Sequence, residues 1–431
     1  MTLDRKKQPE FGRIENINLL EPKIIHLDNG LPVLCVNAGT QEVLKVELMF
    51  RAGTASSDKL LIASTTTKMV VEGTGKKSAK EIAEAVDFYG AYLRTELTHD
   101  ESSLSLYSLN KHLDKTLESL EDVYANPMFP EHELETFLKK RQQEMMVNQE
   151  KVSYLASKAF SGALFGSEHP YGRSAGVNHY DEISRQELID FHASSIKNRI
   201  QYIIISGKIT ESTMPILNEQ FGQSKRENLE EKSLNANISA DQPIHVEKEN
   251  AVQNSIKIGR VLFNRTHQDF IGLQVLTTVL GGYFGSRLMT NIREDKGYTY
   301  GIGAGIVSLK NSGYLSISTE VGADVCSAAM DEVYLEIERL RKNLIPTSEL
   351  ELVKNYMLGS VLKSIDGPFD IASKWKGYMK YGFGIDAHYD LIHQIKNITS
   401  ERLLGLANTY FQHKDLIQIT AGSGINGKGN F

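Results

Sequence analysis

Leu44, Val46, Leu48 and Phe50 alternate with Lys45, Glu47, Met49 and Arg51. A period of two predicts a half-buried strand, with one face on a core and the other toward solvent. Upstream, Asp28-Asn29-Gly30 carries the residues of a tight hairpin turn. Residues 63–90 change period and predict two helical segments around a glycine loop. The second opens with Ser78 and Glu81 at capping-box spacing, presents Ile82, Ala85, Val86 and Tyr89 on one face, and stops at Gly90. Strands are predicted around residues 92–109 and long helices from about 111 to 165. A helix capped by Ser184 with Glu187 then leads into the strand QYIIISG at 201–207. Strands in runs and helices in runs predict an α+β fold, an antiparallel or mixed sheet with helices packed on it.

The pattern is written twice. PEHELETFLKK from Pro130 answers PTSELELVKNY from Pro346, an offset of 216. At the same offset Leu155-Ala156-Ser157-Lys158 falls on Ile371-Ala372-Ser373-Lys374, and Gly166 on Gly382. ISRQEL from Ile183 matches ITSERL from Ile398, and the strand ending at Gly207 matches the one ending at Gly422, both offset by 215. LSLYS from Leu104 answers LSIST from Leu315. A period this long indicates two tandem domains of one fold rather than a solenoid. The stretch 224–244 is mostly polar and without a clear period, so it reads as a linker between domains at 1–223 and 245–431.

The net charge of −6 over 431 residues argues against a non-specific nucleic-acid binder. No stretch approaches the ~18 consecutive apolar residues of a membrane span. The first 20 residues hold no apolar core of a secretory signal, so a cytoplasmic location is expected. Cys35 and Cys326, the two cysteines, are too few for a disulfide framework or a cysteine zinc cluster, which fits a reducing compartment.

The twelve histidines include no H-x-x-E-H or H-x-x-x-H pair. His388 and His393 lie five apart, roughly 140° around a helix, and do not share a face. His169 sits in a Pro/Gly loop, and the histidines read as surface or structural residues. There is no Walker loop, dinucleotide fingerprint or nucleophile elbow. The segment NIREDKGYTYGIGAG predicts a helix ending near Lys296, Gly297 in the left-handed cap position, and a strand starting at once. Arg293 and Tyr300 would then point into one corner. A guanidinium suits a carboxylate or peptide carbonyl, and a phenol can donate to a carbonyl oxygen that gains charge. An arginine at a helix C-terminus and a tyrosine in a strand also have ordinary structural uses.

Taken together, the NGL hairpin at Asn29, GTGKKSAKEIAEAVDFYGAYL, LFGSEHPYGR, SRLMTNIREDKGYTYG and the tandem halves resemble the pitrilysin/insulinase family of zinc metallopeptidases. The likeness is to the small two-domain type that includes mitochondrial processing peptidase subunits, and it implies a LuxS/metallopeptidase-like architecture. The family's zinc helix carries an inverted H-x-x-E-H just before the G-T loop. Here that motif falls on Ser64-Thr65-Thr66-Thr67-Lys68. Both histidines and the glutamate are gone, Ser64 and Thr67 are poor zinc ligands, and Lys68 repels a cation. The resemblance implies Glu144 as a surviving distant ligand, and one carboxylate does not hold zinc. Ser64 and Lys68 could also pair as nucleophile and base at i,i+4. More simply, Lys68 takes the volume or charge of the lost metal.

Arg293 and Tyr300 match the family's substrate-binding pair. A lost zinc motif with a kept pair resembles the non-catalytic subunit of heterodimeric members. It implies no metal in this chain, zinc in a related partner, a peptide substrate, and a heterodimer or, in isolation, a homodimer. The competing expectations are a non-enzymatic scaffold, a peptide-sequestering protein, and an independent metallopeptidase with unforeseen ligands.

Overall fold

The computed structural model describes residue 14 and residues 16–227 and 244–424 of the chain. Residues 228–243 of the expected linker lie outside the described residues, and Ile244, its last position, already opens a strand.

Six strands build the first sheet: β1 (Lys23–His26), β2 (Pro32–Asn37), β3 (Val43–Phe50), β4 (Tyr92–Leu97), β5 (Ser102–Leu109) and β6 (Tyr202–Gly207). Their order is β1-β2-β6-β3-β5-β4, with β2 and β6 parallel and the other neighbours antiparallel. The second sheet holds β7 (Ile244–Glu247), β8 (Gln253–Leu262), β9 (Thr299–Ser308), β10 (Gly313–Gly322) and β11 (Ile417–Gly422) in the order β7-β11-β8-β10-β9. Its one parallel pair is β7 with β11. Apart from β1 the two sheets are the same object built twice. Val46 faces Leu106 in the first and Ile258 faces Ile317 in the second, while against β6 and β11 the two ladders differ by two residues, Val46 facing Ile205 and Ile258 facing Gln418.

The helices of the first half are α1 (Ile62–Met69), α2 (Ala79–Asp87), α3 (Leu113–Ala125), α4 (Glu131–Gln149), α5 (Val152–Phe165), α6 (Arg185–Ser195) and α7 (Thr213–Phe221). Those of the second are α8 (Phe270–Gly281), α9 (Cys326–Lys342), α10 (Thr347–Lys363), α11 (Pro368–Met379), α12 (Asp386–Asn397) and α13 (Ser400–Tyr410). The capping boxes of Ser78/Glu81 and Ser184/Glu187 form as their spacing predicts. Pro130 and Pro346, matched in the sequence repeat, open α4 and α10.

Repeat-related α5 and α11 are exchanged between the halves. Ala156, Phe160 and Leu164 of α5 pack on Ile417, Ile419 and Ala421 of the second sheet. Ile371, Ala372 and Trp375 of α11 pack on Leu34, Val36, Met49 and Ile204 of the first. This corrects the expectation of a half-buried β3. The strand is buried on both faces, with Lys45 and Glu47 only 5% and 1% exposed. Their partner comes from the exchanged helix: Lys376 Nζ donates to Glu47 Oε1 at 2.8 Å, while Lys45 Nζ donates to Oε2 at 2.6 Å. Burial pushes the Glu47 pKa up, but the two ammonium groups outweigh it and hold the carboxyl below its ordinary range.

A second buried group ties the first core to pH. His192 lies between α6 and α3, its Nε2 2.8 Å from the Tyr124 carbonyl oxygen. Burial pulls its pKa down to about 4. The depressed folded value means the unfolded chain binds the extra proton. The stabilisation is therefore complete above the unfolded value near ~6.5 and drains away as pH falls toward 4. At about 1.4 kcal/mol per unit the loss is roughly 3 kcal/mol. Urea midpoints at pH 7 and 4.5 should differ accordingly, and the His192→Gln variant should flatten that difference.

Candidate functional site

The helix in the zinc-motif position is α1. Thr65, Thr66 and Thr67 are buried, and their face belongs to the core, not to a cleft. The Thr67 and Ser102 hydroxyls find no partner and line one small cavity with room for about one water. Ser64 Oγ donates to the Leu61 carbonyl at 2.9 Å. Lys68 Nζ donates to Thr95 O at 3.0 Å and Thr95 Oγ1 at 3.2 Å, on the edge strand β4. Ser64 and Lys68 thus point to separate partners, which removes the nucleophile–base reading. Loss of solvent around the Lys68 ammonium, then the charges of Arg141 and Arg94, lower its pKa against the opposing pull of Glu96. Glu144 is taken by Arg141, whose Nη1 lies 2.6 Å from its Oε2.

This donor set does not fit zinc. Two hydroxyls, an ammonium and one carboxylate already held by a guanidinium supply no imidazole or thiolate, and three cations surround the position. Among the described residues no three His, Cys, Asp or Glu side chains group as a metal site. Both cysteines are buried free thiols.

The second half presents a different surface. Arg293 lies in the segment Met289–Asp295, which winds as a π-helix where an ordinary helix end was expected. Such wide turns are frequent at functional sites. Gly297 follows with φ +66°, the left-handed conformation read from its position, and β9 begins two residues later. Tyr300 sits on β9, the edge strand, and is 93% exposed. Arg293 stacks its guanidinium over the ring of exposed Phe284 at 4.7 Å and meets no carboxylate among the described residues. The chain therefore carries both residues on neighbouring elements, but only Tyr300 borders the cavity beside β9.

That cavity, about 350 Å³, is lined by Tyr300, Ser255, Ser318, Glu320, Ser157 of α5 and Lys257. Lys257 went unremarked in the sequence. Against β5 and β10 it stands where Lys45 does, Lys45 facing Tyr107 and Lys257 facing the repeat-related Ser318; against β6 and β11 it stands where Glu47 does, Glu47 facing Ile204 and Lys257 facing the repeat-related Ile419. In the first half the next same-face residue is Glu47, the counterion; in the second it is Gly259. A side chain cannot be restored there, because a Cβ on Gly259 would lie 1.9 Å from the Leu315 carbonyl oxygen. Lys257 is left over the Phe160 ring at 5.9 Å with no ion pair among the described residues, and burial lowers its pKa.

The profile described as insulinase, peptidase family M16, matches residues 33–171, and that of the peptidase M16 inactive domain matches residues 182–357. The chain belongs to the M16 family. An uncharacterized zinc protease of Bacillus subtilis, YmxG, is 25% identical over 83% of this chain and 87% of its own length. A protein of Helicobacter pylori described as a non-peptidase homolog is 22% identical over 86% and 87%. A crystal structure of a peptidase M16 inactive domain from Pseudomonas fluorescens superposes with a TM-score of 0.83 at 22% identity, covering 95% of this chain and all of that one. A protease from Helicobacter pylori gives 0.81 at 18% identity, over 93% and 99%. These two establish the shared fold. The inactive-domain match over the second half, the relative described as a non-peptidase homolog and a zinc-motif helix without histidine, cysteine or carboxylate support a non-catalytic place within that family. No helix among the described residues is long and apolar enough to cross a membrane.

Proposed function

We propose that this chain is the peptide-binding, non-catalytic subunit of a heterodimeric zinc peptidase. One observation carries the reading. Tyr300 and Lys257 line one cavity beside the edge strand β9, Arg293 lies on the neighbouring turn outside it, and none of the three has an internal counterion or side-chain hydrogen bond among the described residues. Polar side chains held without partners are free to serve a ligand.

An extended peptide adds to an edge strand through main-chain hydrogen bonds, with side-chain pockets giving selectivity. Here β9 is the edge, Tyr300 donates to a peptide carbonyl, and Arg293 grips a carbonyl or carboxylate. Lys257 adds a desolvated cation at the cavity floor, which favours a peptide carrying an acidic group there. Zinc and its bound water belong to a related partner chain that has the intact motif.

Metal content and peptidase activity of this chain alone, then mixed with such a partner, test the reading. The expected result is no zinc and no cleavage alone, with cleavage on mixing. Zinc-dependent cleavage by this chain alone, or a mixture no more active than the partner, overturns it.

A further inference from the structure

A second cavity lies in the C-terminal half, away from α1 and the Tyr300 edge. It encloses about 530 Å³ between α8, α10, α11 and α12, a volume typical of small-molecule sites. It arises where the repeat breaks. The first half carries only the short 3₁₀ turn Val177–Tyr180 between the exchanged helix and the following capped helix, whereas the second half inserts α12. One wall of the cavity, α12, therefore has no counterpart helix among the described residues of the first half.

Its walls combine two chemistries. Phe270, Ile271, Val361 and Leu391 supply apolar surface. Arg265 and Lys374 supply two cations, and neither meets a carboxylate or any other side-chain acceptor among the described residues. The Arg265 Nε is buried without an acceptor. The two charges lie close enough that Arg265, after burial, lowers the Lys374 pKa. They rest on rings instead, Lys374 5.6 Å from the Tyr378 centroid and Arg265 5.4 Å from that of Tyr381. The cavity's one acid, Asp390, is exposed and accepts from Gln394 at 2.9 Å. Cation–π contacts recover only a small part of what it takes to strip water from a cation. An anion placed between them would relieve the deficit.

We propose that this cavity binds a carboxylate-headed amphiphile of fatty-acid type, its head between Arg265 and Lys374 and its chain along Phe270, Ile271, Val361 and Leu391. Charge selects the head, and the apolar walls select the tail. The site is separate from the peptide edge and does not depend on that reading.

Calorimetric titration of the full chain with laurate tests it, with dodecyltrimethylammonium as the charge-reversed probe and acetate as the tail-less one. One laurate per chain is expected, with no saturable binding of either control. Lys374→Met and Arg265→Gln should each weaken laurate about tenfold or more, the scale of one hydrogen bond to a charged group, and Lys374→Arg should restore most of it. Equal binding of the cationic probe, or laurate affinity unchanged in the double variant, overturns the site. A measurement on the unaltered protein guards against variants that lose the fold. Reductive methylation of Lys374, read by mass spectrometry, should slow more than ~10-fold at saturating laurate. An unchanged rate, or equal protection by acetate, overturns the proposal.

Discussion

Tyr300→Phe is expected to lower peptide cleavage by the mixed, two-chain preparation about 100-fold in kcat, while KM stays within about threefold. Removing one hydrogen-bond donor aimed at a developing oxyanion typically costs 10²–10³ in kcat. A group that acts only as charge develops leaves ground-state binding alone. The position is suited to this test because the fold does not use the hydroxyl. Tyr300 is 93% exposed and makes no side-chain hydrogen bond among the described residues, so the melting temperature should not move. Arg293→Ala should instead act on KM, about tenfold or more, because a guanidinium on a peptide carboxyl or carbonyl is engaged in the ground state as well. Its internal contact, the stacking on exposed Phe284, is worth only about 0.5–1 kcal/mol. Lys257→Met should keep or raise stability by removing an uncompensated cation, while selectively weakening peptides with an acidic residue. A Tyr300→Phe mixture with unchanged kcat would leave a scaffold as the better description.

The tandem architecture was legible because it is written in local signals. Matched prolines open α4 and α10, matched caps open α6 and α13, and a shared alternation runs through β5 and β10. The helix α1 was legible for the same reason, its residues 63–69 falling within the run read as helical. The exchange of α5 and α11 was not legible. Lys45 and Glu47 read as a solvent face, since nothing local says that a helix from residue 368 onward will cover them. Long-range cover turned an apparent surface strand into a core strand, and Lys376 turned an apparent surface acid into a buried ion pair. Lys257 was missed for a related reason. Its distinction is a buried ammonium with Gly259 where an acid on the same face could stand, and this shows only once the fold has buried β8. The left-handed Gly297 and the strand after it could be read from sequence, whereas the π-turn that carries Arg293 could not, because one extra residue per turn leaves no fixed pattern.

The exchanged helices also locate the largest expected loss of stability, at Asp100. This carboxylate follows edge strand β4 and is reached from both halves. Lys380 Nζ donates to Oδ2 at 2.6 Å, the Lys310 backbone N–H donates to the same oxygen at 2.9 Å, and the Tyr171 hydroxyl donates to Oδ1. The Asp100 and Lys380 side chains are only 6% and 15% exposed. Burial raises the Asp100 pKa, but the Lys380 and Tyr171 hydrogen bonds more than reverse this and hold it low. Asp100→Asn removes the charge and leaves the Lys380 ammonium buried without a counterion, at an expected cost of about 3–5 kcal/mol. The double variant Asp100→Asn, Lys380→Met should recover most of that loss, because the penalty lies in the orphaned cation and not in the missing pair. Because the folded pKa is depressed, the pair's contribution is intact above the unfolded carboxylate value near ~3.9 and disappears only as pH falls through the lower folded value. The single variant should therefore differ most from the parent at neutral pH and least in strong acid. Calorimetric scans read the outcome directly. A large drop in melting temperature, split into two transitions, means that the ion pair couples the halves. A loss below about 1 kcal/mol means that the apolar faces of α5 and α11 hold the halves together on their own.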